Sequence, residues 1–219
     1  MTQSFDPTRE SRPGAAGSTA ALRENEPFEI EAAQRLARMA AFKDSEGSGH
    51  VERIGRLSAQ IAAALGMPAE IVERIRLAAP LHDIGNLAIP ESILLKDDAL
   101  SLEELDLIKT HTTIGAGLLA DSRSKLLRTA AEIAQYHHEN WDGTGYSPGL
   151  SGNDIPLAAR IVRIADTYDS MMHARPFRAP WQRDESIAFI TGQSGRRFDP
   201  VVVQAFLQLD AHGELDQEP

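Results

Sequence analysis

The stretch SKLLRTAAEIAQYHHENWDGTGYS, residues 124–147, joins an amphipathic helix to a loop rich in glycine and polar residues. From Leu126 to Ala134 the apolar residues recur at steps of three and four, which is the period of one helix face. His137 and His138 continue this stripe, so the spacing predicts that both imidazoles point into the core. Burying an unpaired polar group costs free energy. The two histidines are therefore either core residues bonded to backbone carbonyls or ligands of a metal.

The same helical period covers most of the chain from Phe28 onward and predicts an all-α fold. Ser101 and Glu104 have the spacing of a capping box and predict a helix start. Gly66 predicts a helix end, and Pro80 predicts a kink in the helix that contains it. One or two short helices are expected around WQRDESIAFITGQ and DPVVVQAFLQLDA, and no segment alternates with period two for long enough to build a sheet.

The composition divides the chain into three parts. Residues 1–26 are rich in Ser, Thr, Gly, Pro and charge and contain few large apolar residues, so they are expected to form a disordered lead. Residues 27–210 are expected to form one helical domain, since this length is ample for a sizeable core. Residues 211–219 are expected to be a flexible tail.

Composition also excludes several classes of protein. The chain has no cysteine, which rules out disulfides, thiolate metal ligands and a cysteine nucleophile and suits a reducing cytoplasm. It has no apolar run long enough for a membrane span, and its first residues lack the apolar core of a secretory signal. The formal net charge of −10 argues against a general nucleic-acid binder. We expect a cytoplasmic protein in which arginines or metal ions compensate any anionic substrate.

Polar residues of the same kind follow apolar stripes in five separate helices. They are five histidines and two aspartates: His50, His82, Asp83, His111, His137, His138 and Asp166. Any one of the histidines alone is more simply explained as a core residue bonded to backbone carbonyls. Convergence of all seven is better explained by divalent metals that hold the group together. Nitrogen and oxygen donors indicate iron or manganese, with zinc as an alternative and magnesium disfavoured by so many imidazoles.

Several motifs in this order resemble those of the HD-GYP phosphodiesterases, a branch of the HD metal-dependent phosphohydrolase superfamily. They are LHDIG (81–85), KTHTTIG (109–115), HHENWDGTGY (137–146), IVRIADTYDSMMHARPFR (161–178) and RFDPVVVQAF (197–206). The resemblance implies an all-α HD-domain bundle with extra C-terminal helices and a long GYP-type loop. It also implies two or three metal ions and hydrolysis of cyclic di-GMP to pGpG or GMP.

The resemblance assigns roles to individual residues. It makes the seven residues above metal ligands, with Asp83 bridging two ions, and it adds Glu46 as a ligand of a third ion. The alternative for Glu46 is a solvated charge in a loop. Arg175 and Arg178 are implied to contact substrate phosphate and guanine, against the alternative of surface ion pairs. Arg53 is expected to support His50 from behind.

Two positions depart from the family pattern. The motif HDIGK reads HDIGN, so Asn86 replaces a lysine near the scissile phosphate; Asn86 can donate a hydrogen bond there but cannot act as a general acid. The GYP triplet reads Gly145-Tyr146-Ser147, which is expected to change the shape of the loop or its choice of protein partner.

The lysine departure leaves two alternatives to cyclic di-GMP hydrolysis. One is a degenerate member of the family that binds metal and cyclic di-GMP, or a protein partner, with little turnover. The other is a phosphohydrolase of another cyclic nucleotide. The intact set of ligands favours an enzyme, in which Asp83 and Asn86 lie at the catalytic position.

Overall fold

The computed structural model describes residues 15–43, 47–174 and 179–215. Within these residues the chain forms ten α-helices and three short 3₁₀ helices, and no strand, which confirms the all-α prediction. The α-helices are α1 (Ala15–Ala41), α2 (Gly47–Ala64), α3 (Ala69–Ala78), α4 (Glu91–Leu94), α5 (Leu102–Lys109), α6 (His111–Leu119), α7 (Lys125–Tyr136), α8 (Leu157–Met172), α9 (Arg183–Gly192) and α10 (Pro200–Ala211). The 3₁₀ helices span Ala79–Leu81, Ile84–Ala88 and Gly152–Asp154. None of the described helices has both the length and the apolar character that crossing a membrane requires.

The helix ends follow the sequence signals. The Ser101 hydroxyl accepts a hydrogen bond from the backbone N–H of Glu104 at 3.2 Å, and the Glu104 carboxylate accepts one from the Ser101 N–H at 2.7 Å, which completes the capping box of α5. Gly66 ends α2 with a φ of 74°, a conformation that glycine adopts without steric cost. The helix that starts at Ser101 is interrupted at Thr110, where α5 gives way to α6.

Pro80 places the histidine–aspartate pair. Helix α3 ends at Ala78, and the chain continues as the 3₁₀ turn Ala79–Leu81 because proline lacks the N–H that a further helical turn needs. His82 and Asp83 follow this turn directly. The predicted kink is therefore a change of helix type that redirects the chain at the start of the motif.

Two observations lie close to the expected domain limits, which stay predictions. Helix α1 begins at Ala15, inside the stretch 1–26 that was expected to be disordered; its alanine-rich sequence favours a helix that continues into the amphipathic stripe after Phe28. At the other end Leu215 is buried, and Gln60 donates a side-chain hydrogen bond to the carbonyl of Glu214 at 2.9 Å. Part of the expected tail therefore packs on the domain.

The core lies where α2, α7, α8 and α10 meet. Its largest side chains include Ile61, Ile133, Ile164 and Phe206, each with none of its surface exposed. Burying one such side chain stabilises the fold by about 1.5–3 kcal/mol. Tyr168 meets Phe206 edge to face, with ring centroids 5.2 Å apart. This packing sets the relative positions of the helices that carry the histidines.

A close backbone approach brings the HDIG turn against α6. A Cβ atom on Gly85 would lie 2.7 Å from the backbone N of Gly115 and 2.7 Å from the carbonyl carbon of His111. Only glycine fits this position without a shift of the backbone. The approach sets His111, the first residue of α6, beside Asp83.

Candidate metal centre

All seven residues that the stripes selected come together in the structure. They form two adjoining groups, Asp83, His111, His137 and His138 in one and His50, His82 and Asp166 in the other, and within each group the potential ligand atoms lie within 4.8 Å of one another. His50 comes from α2, His111 from α6 and Asp166 from α8. The other four follow the ends of helices. Their role as metal ligands stays a prediction, which the geometry of their nitrogen and oxygen atoms supports.

Four of the imidazoles are oriented by a hydrogen bond on Nδ1. His82, His111 and His137 each direct Nδ1 to a backbone carbonyl three or four residues earlier, at 2.9, 2.7 and 3.1 Å. His50 directs Nδ1 to the carboxylate of Asp169 at 2.8 Å. Carbonyl and carboxylate oxygens only accept hydrogen bonds, so Nδ1 carries a proton and Nε2 is the nitrogen that can serve as a metal ligand. Metal-bound histidines in proteins are held in this way.

Asp83 lies between the two groups. Its Oδ1 is 3.2 Å from Nε2 of His111 and 3.3 Å from Nε2 of His137, and its Oδ2 is 3.6 Å from Nε2 of His82. Burial by itself raises the pKa of Asp83, but the charge of His82 and hydrogen bonds with His111 and His137 lower it well below its usual value. The carboxylate is therefore ionised and presents one oxygen to each group.

The centre favours a bound positive charge. Nε2 of His111 and Nε2 of His137 face each other at 3.4 Å. Nε2 of His82 is buried without a hydrogen-bond partner in the described part of the chain. Burial lowers the pKa of His111, but its hydrogen bond with Asp83 and the charge of that carboxylate raise it above the usual value. Imidazole nitrogens that converge around an ionised carboxylate fit a divalent cation.

Asp169 links His50 to Arg53. Its carboxylate accepts the His50 hydrogen bond and also one from Nη2 of Arg53 at 3.0 Å. Burial by itself raises the pKa of Asp169, but these two partners lower it to about 2. Arg53 thus lies behind His50 as expected, although the sequence analysis missed the aspartate through which it acts. The signal was present, since Asp169 follows Asp166 by three residues on α8.

Comparison with known proteins shows to which family the chain belongs. The sequence pattern described as HD domain matches residues 34–202, more than half of the chain. The chain belongs to the HD domain family. This membership confirms the resemblance that the motifs LHDIG and HHENWDGTGY indicated.

The relatives of this HD domain include several named phosphodiesterases. A cyclic di-GMP phosphodiesterase of Thermotoga maritima is 44% identical over 187 residues, which cover 85% of this chain and 51% of the relative. The cyclic di-GMP phosphodiesterase response regulator RpfG of Xanthomonas campestris pv. campestris is 42% identical over 198 residues, 90% of this chain and 52% of the relative. The 3'3'-cGAMP-specific phosphodiesterase 2 of Vibrio cholerae is 35% identical over 178 residues, 81% of this chain and 34% of the relative. The chain thus spans about half the length of the first two relatives and about a third of the last.

Solved structures of low sequence identity share the fold. A cyclic GMP-AMP specific phosphodiesterase of V. cholerae aligns with a TM-score of 0.60 and 19% identity, covering 84% of this chain and 49% of that one. An HDG"Y"P protein from Bdellovibrio bacteriovorus aligns with a TM-score of 0.59 and 24% identity, covering 75% of this chain and 52% of that one. Both alignments support an HD-type helical bundle.

His138 is held differently from the other four histidines of the candidate metal centre. Its Nδ1 lies 3.1 Å from Nη1 of Arg163, a group that can only donate, so Nδ1 is the acceptor. The ring of Tyr146 stacks on the imidazole, with centroids 4.7 Å apart. Burial, together with the charges of His137 and Arg163, lowers the pKa of His138 well below its usual value, which keeps it neutral. Arg163, three residues before Asp166 on α8, was not among the residues predicted from the sequence.

The loop after the histidine pair folds back against it. A Cβ atom on Gly145 would lie 2.6 Å from the carbonyl oxygen of His138 and 2.6 Å from Cα of Glu139, so only glycine fits there. The buried Glu139 accepts a hydrogen bond from the backbone N–H of Gly149 at 2.7 Å. These contacts set Tyr146 over His138.

The remaining predicted residues are placed only in part. Asn86 is buried in the 3₁₀ turn after Asp83, and its backbone N–H donates to the Asp83 carbonyl at 2.9 Å. Glu46, Arg175 and Arg178 lie outside the described residues.

Proposed function

We propose that this HD domain hydrolyses cyclic di-GMP with the help of bound divalent metals. The observation that carries the proposal is the convergence of imidazole nitrogens and carboxylate oxygens around Asp83, while Nδ1 of four histidines is held by a hydrogen bond to a carbonyl or carboxylate oxygen. The relatives from T. maritima and X. campestris, which bear the name cyclic di-GMP phosphodiesterase, support the choice of substrate. The ligands in this proposal are His50, His82, Asp83, His111, His137, His138 and Asp166.

We assign iron or manganese to the centre, because the donors are imidazole nitrogens and carboxylate oxygens without any thiolate. Two groups of ligands suit two ions. Glu46 precedes α2 and lies four residues before His50, so a third ion bound by Glu46 is part of the proposal.

When bound, divalent cations polarise phosphoryl oxygens and lower the pKa of water. The chain's own residues hold the ligands in place. Asp83 offers one oxygen to each group and stays ionised, so it can bridge them. Asp169 fixes the proton of His50 on Nδ1, and the backbone carbonyls do the same for three other histidines.

Arg175 and Arg178 bind the substrate phosphate and guanine in this proposal, since the planar guanidinium forms paired hydrogen bonds with phosphate. Burial raises the pKa of Tyr146, so its phenol stays protonated at neutral pH. Asn86 takes the place of the motif lysine and donates a hydrogen bond without transferring a proton. The loop Gly145-Tyr146-Ser147 is the proposed contact for a protein partner.

The test is hydrolysis of cyclic di-GMP by protein purified without air and reconstituted with iron or manganese, with metal content measured on the same sample. We expect two or three ions per chain and a product of pGpG or GMP. Asp83→Asn keeps the size of the side chain and is expected to abolish turnover. Wild-type protein with full metal content and no turnover would refute hydrolysis and support the binding role.

A second candidate substrate is 3'3'-cGAMP, because the V. cholerae relative that is 35% identical is named for it. Turnover of cyclic di-GMP and 3'3'-cGAMP by the same metal-loaded sample separates the two. A higher kcat/KM for 3'3'-cGAMP would replace the first candidate.

A further inference from the structure

A cavity of about 300 Å³ adjoins the metal centre on the side of the loop after the histidine pair. We call it the arginine cavity. The residues of its lining that matter here are His138, Asp142, Tyr146, Arg163, Arg196 and Arg197. His138 and Tyr146 place it directly beside the centre, and Arg196 and Arg197 come from the turn between α9 and α10.

The cavity is positively charged in a chain that carries a net charge of −10. Three guanidinium groups line it against one carboxylate, that of Asp142. This carboxylate already accepts hydrogen bonds from the backbone N–H of Thr144 at 3.0 Å and from its hydroxyl at 2.6 Å. The remaining positive charge selects an anionic ligand.

Arg163 is the strongest indication of such a ligand. Only 7% of the residue is exposed, and its Nε is buried without a hydrogen-bond partner in the described part of the chain. Its terminal nitrogens contact two neutral groups, Nδ1 of His138 at 3.1 Å and the side-chain oxygen of Asn140 at 3.1 Å. No carboxylate forms an ion pair with it within residues 15–43, 47–174 and 179–215. A buried charge that is not directly paired with a carboxylate destabilises the fold, and a bound anion relieves this.

We propose that the arginine cavity binds the phosphate of the cyclic dinucleotide that is not being cut. This inference rests on the proposed function, since it assigns one part of that substrate to a place beside the metal centre. Guanidinium groups suit the role because they hold phosphate oxygens through paired, charge-assisted hydrogen bonds. The cavity thus adds a site to the one expected at Arg175 and Arg178.

The contact between Arg163 and His138 fits this role. A histidine that binds a cation through Nε2 carries its proton on Nδ1, as the other four do here. The Nδ1–H of His138 and the guanidinium of Arg163 would then be two donors facing each other. When His138 serves as a metal ligand, Nη1 of Arg163 is therefore free to donate a hydrogen bond to a phosphate oxygen.

The first arm of the test measures binding of inorganic phosphate by calorimetry to the metal-loaded protein, in which His138 is expected to serve as a ligand, and to the metal-stripped protein beside it. We expect Arg197→Gln and Arg163→Gln each to weaken binding about tenfold or more, since a charge-assisted hydrogen bond is lost. Arg35→Gln, on the exposed face of α1, removes the same charge far from the cavity and should leave the affinity unchanged. Equal affinities in all four proteins, or no binding to the wild type, would overturn the cavity as an anion site.

Arg197 is half-buried, so its variant keeps the test valid if the buried Arg163→Gln protein fails to fold. The second arm measures steady-state hydrolysis of cyclic di-GMP by the metal-loaded proteins. Binding of a non-reacting phosphate predicts that KM rises about tenfold or more while kcat changes less. An unchanged KM in both variants would overturn the assignment to this substrate. Absence of turnover in the wild type would instead refute the proposed function. The phosphate-binding measurement would then still test whether the cavity binds an anion.

Discussion

Replacing Asp169 by Asn tests whether the carboxylate behind His50 stabilises both the fold and the metal centre. Asp169 accepts hydrogen bonds from His50 at 2.8 Å and from Arg53 at 3.0 Å, and only 4% of the residue is exposed. Asparagine keeps the size of the side chain and one acceptor oxygen but loses the negative charge.

The magnitude follows from the pKa of the carboxyl group. Burial raises the pKa of Asp169, while His50 and Arg53 lower it, so that it falls from an ordinary 3.8 to about 2. At about 1.4 kcal/mol per pKa unit, this difference corresponds to roughly 2 kcal/mol of unfolding free energy. The folded-state pKa is the lower one. The Asp169 carboxylate therefore makes its full contribution to the unfolding free energy above the ordinary pKa. This contribution is lost as the pH falls through about 4 towards about 2.

We expect Asp169→Asn to reduce the unfolding free energy of metal-stripped protein by about 2 kcal/mol at neutral pH. The difference in unfolding free energy between the wild type and the variant should decrease as the pH falls below about 4. Urea unfolding across this range measures both effects. Metal affinity, measured by competition with a coloured chelator, should fall about 10- to 100-fold because His50 loses the charged acceptor that orients it.

Asp106→Asn is the control, because Asp106 forms an exposed ion pair with Lys109 at 2.7 Å. Asp106→Asn should change the unfolding free energy by no more than about 0.5 kcal/mol. Asp169→Asn protein with the unfolding free energy and metal affinity of the wild type would refute the reasoning. If the difference in unfolding free energy between the wild type and Asp169→Asn stays constant down to the lowest pH, lost packing and not lost charge causes the destabilisation.

Three further predictions concern the metals, the motif lysine and the HDIG glycine. Removing the metals with EDTA should lower the melting temperature, because ions that bind only the folded state stabilise it; equal calorimetric melting temperatures with and without EDTA would contradict a shared metal core. Asn86→Lys should raise kcat for cyclic di-GMP about tenfold or more, since a charge pair at about 4 Å is worth roughly 4 kcal/mol at an effective dielectric of 20; identical kcat values at equal metal content would show that the lysine is dispensable. Gly85→Ala should lower the unfolding free energy by about 2–3 kcal/mol, because its Cβ would overlap the backbone of α6. Gly117→Ala is its control in urea unfolding: a Cβ there meets no atom within 4 Å, and helix propensity favours alanine by about 1 kcal/mol, so comparable losses in the two variants would refute the overlap.

The residues missed by the sequence analysis show where reasoning from one helix stops. Arg163, Asp166 and Asp169 follow one another at steps of three on α8. Of these three only Asp166 was predicted as a site residue, although the same spacing puts all three near one face. Arg163 turned out to contact His138, and Asp169 to contact His50. Such pairings depend on which helix lies opposite, and helical periodicity carries no information about that.

The domain limits stay predictions. A low content of large apolar residues predicted a disordered lead at 1–26, and 211–219 was expected to be a flexible tail; α1 begins at Ala15 and Leu215 is buried. Alanines favour a helix without a large apolar face, and one leucine after the last helix is enough to fill a gap in the core.

The sequence by itself determined the helices, their caps and the seven residues that converge, because these depend on the spacing of residues within a turn or two of one helix. Tertiary structure alone decided three things: the division of the seven into two groups with Asp83 between them, the Nδ1 partners of His50 and His138, and the arginine cavity. Each of these depends on distances between separate backbones. The packing of α2, α6, α7 and α8 sets those distances, and the close approach at Gly85 is part of that packing.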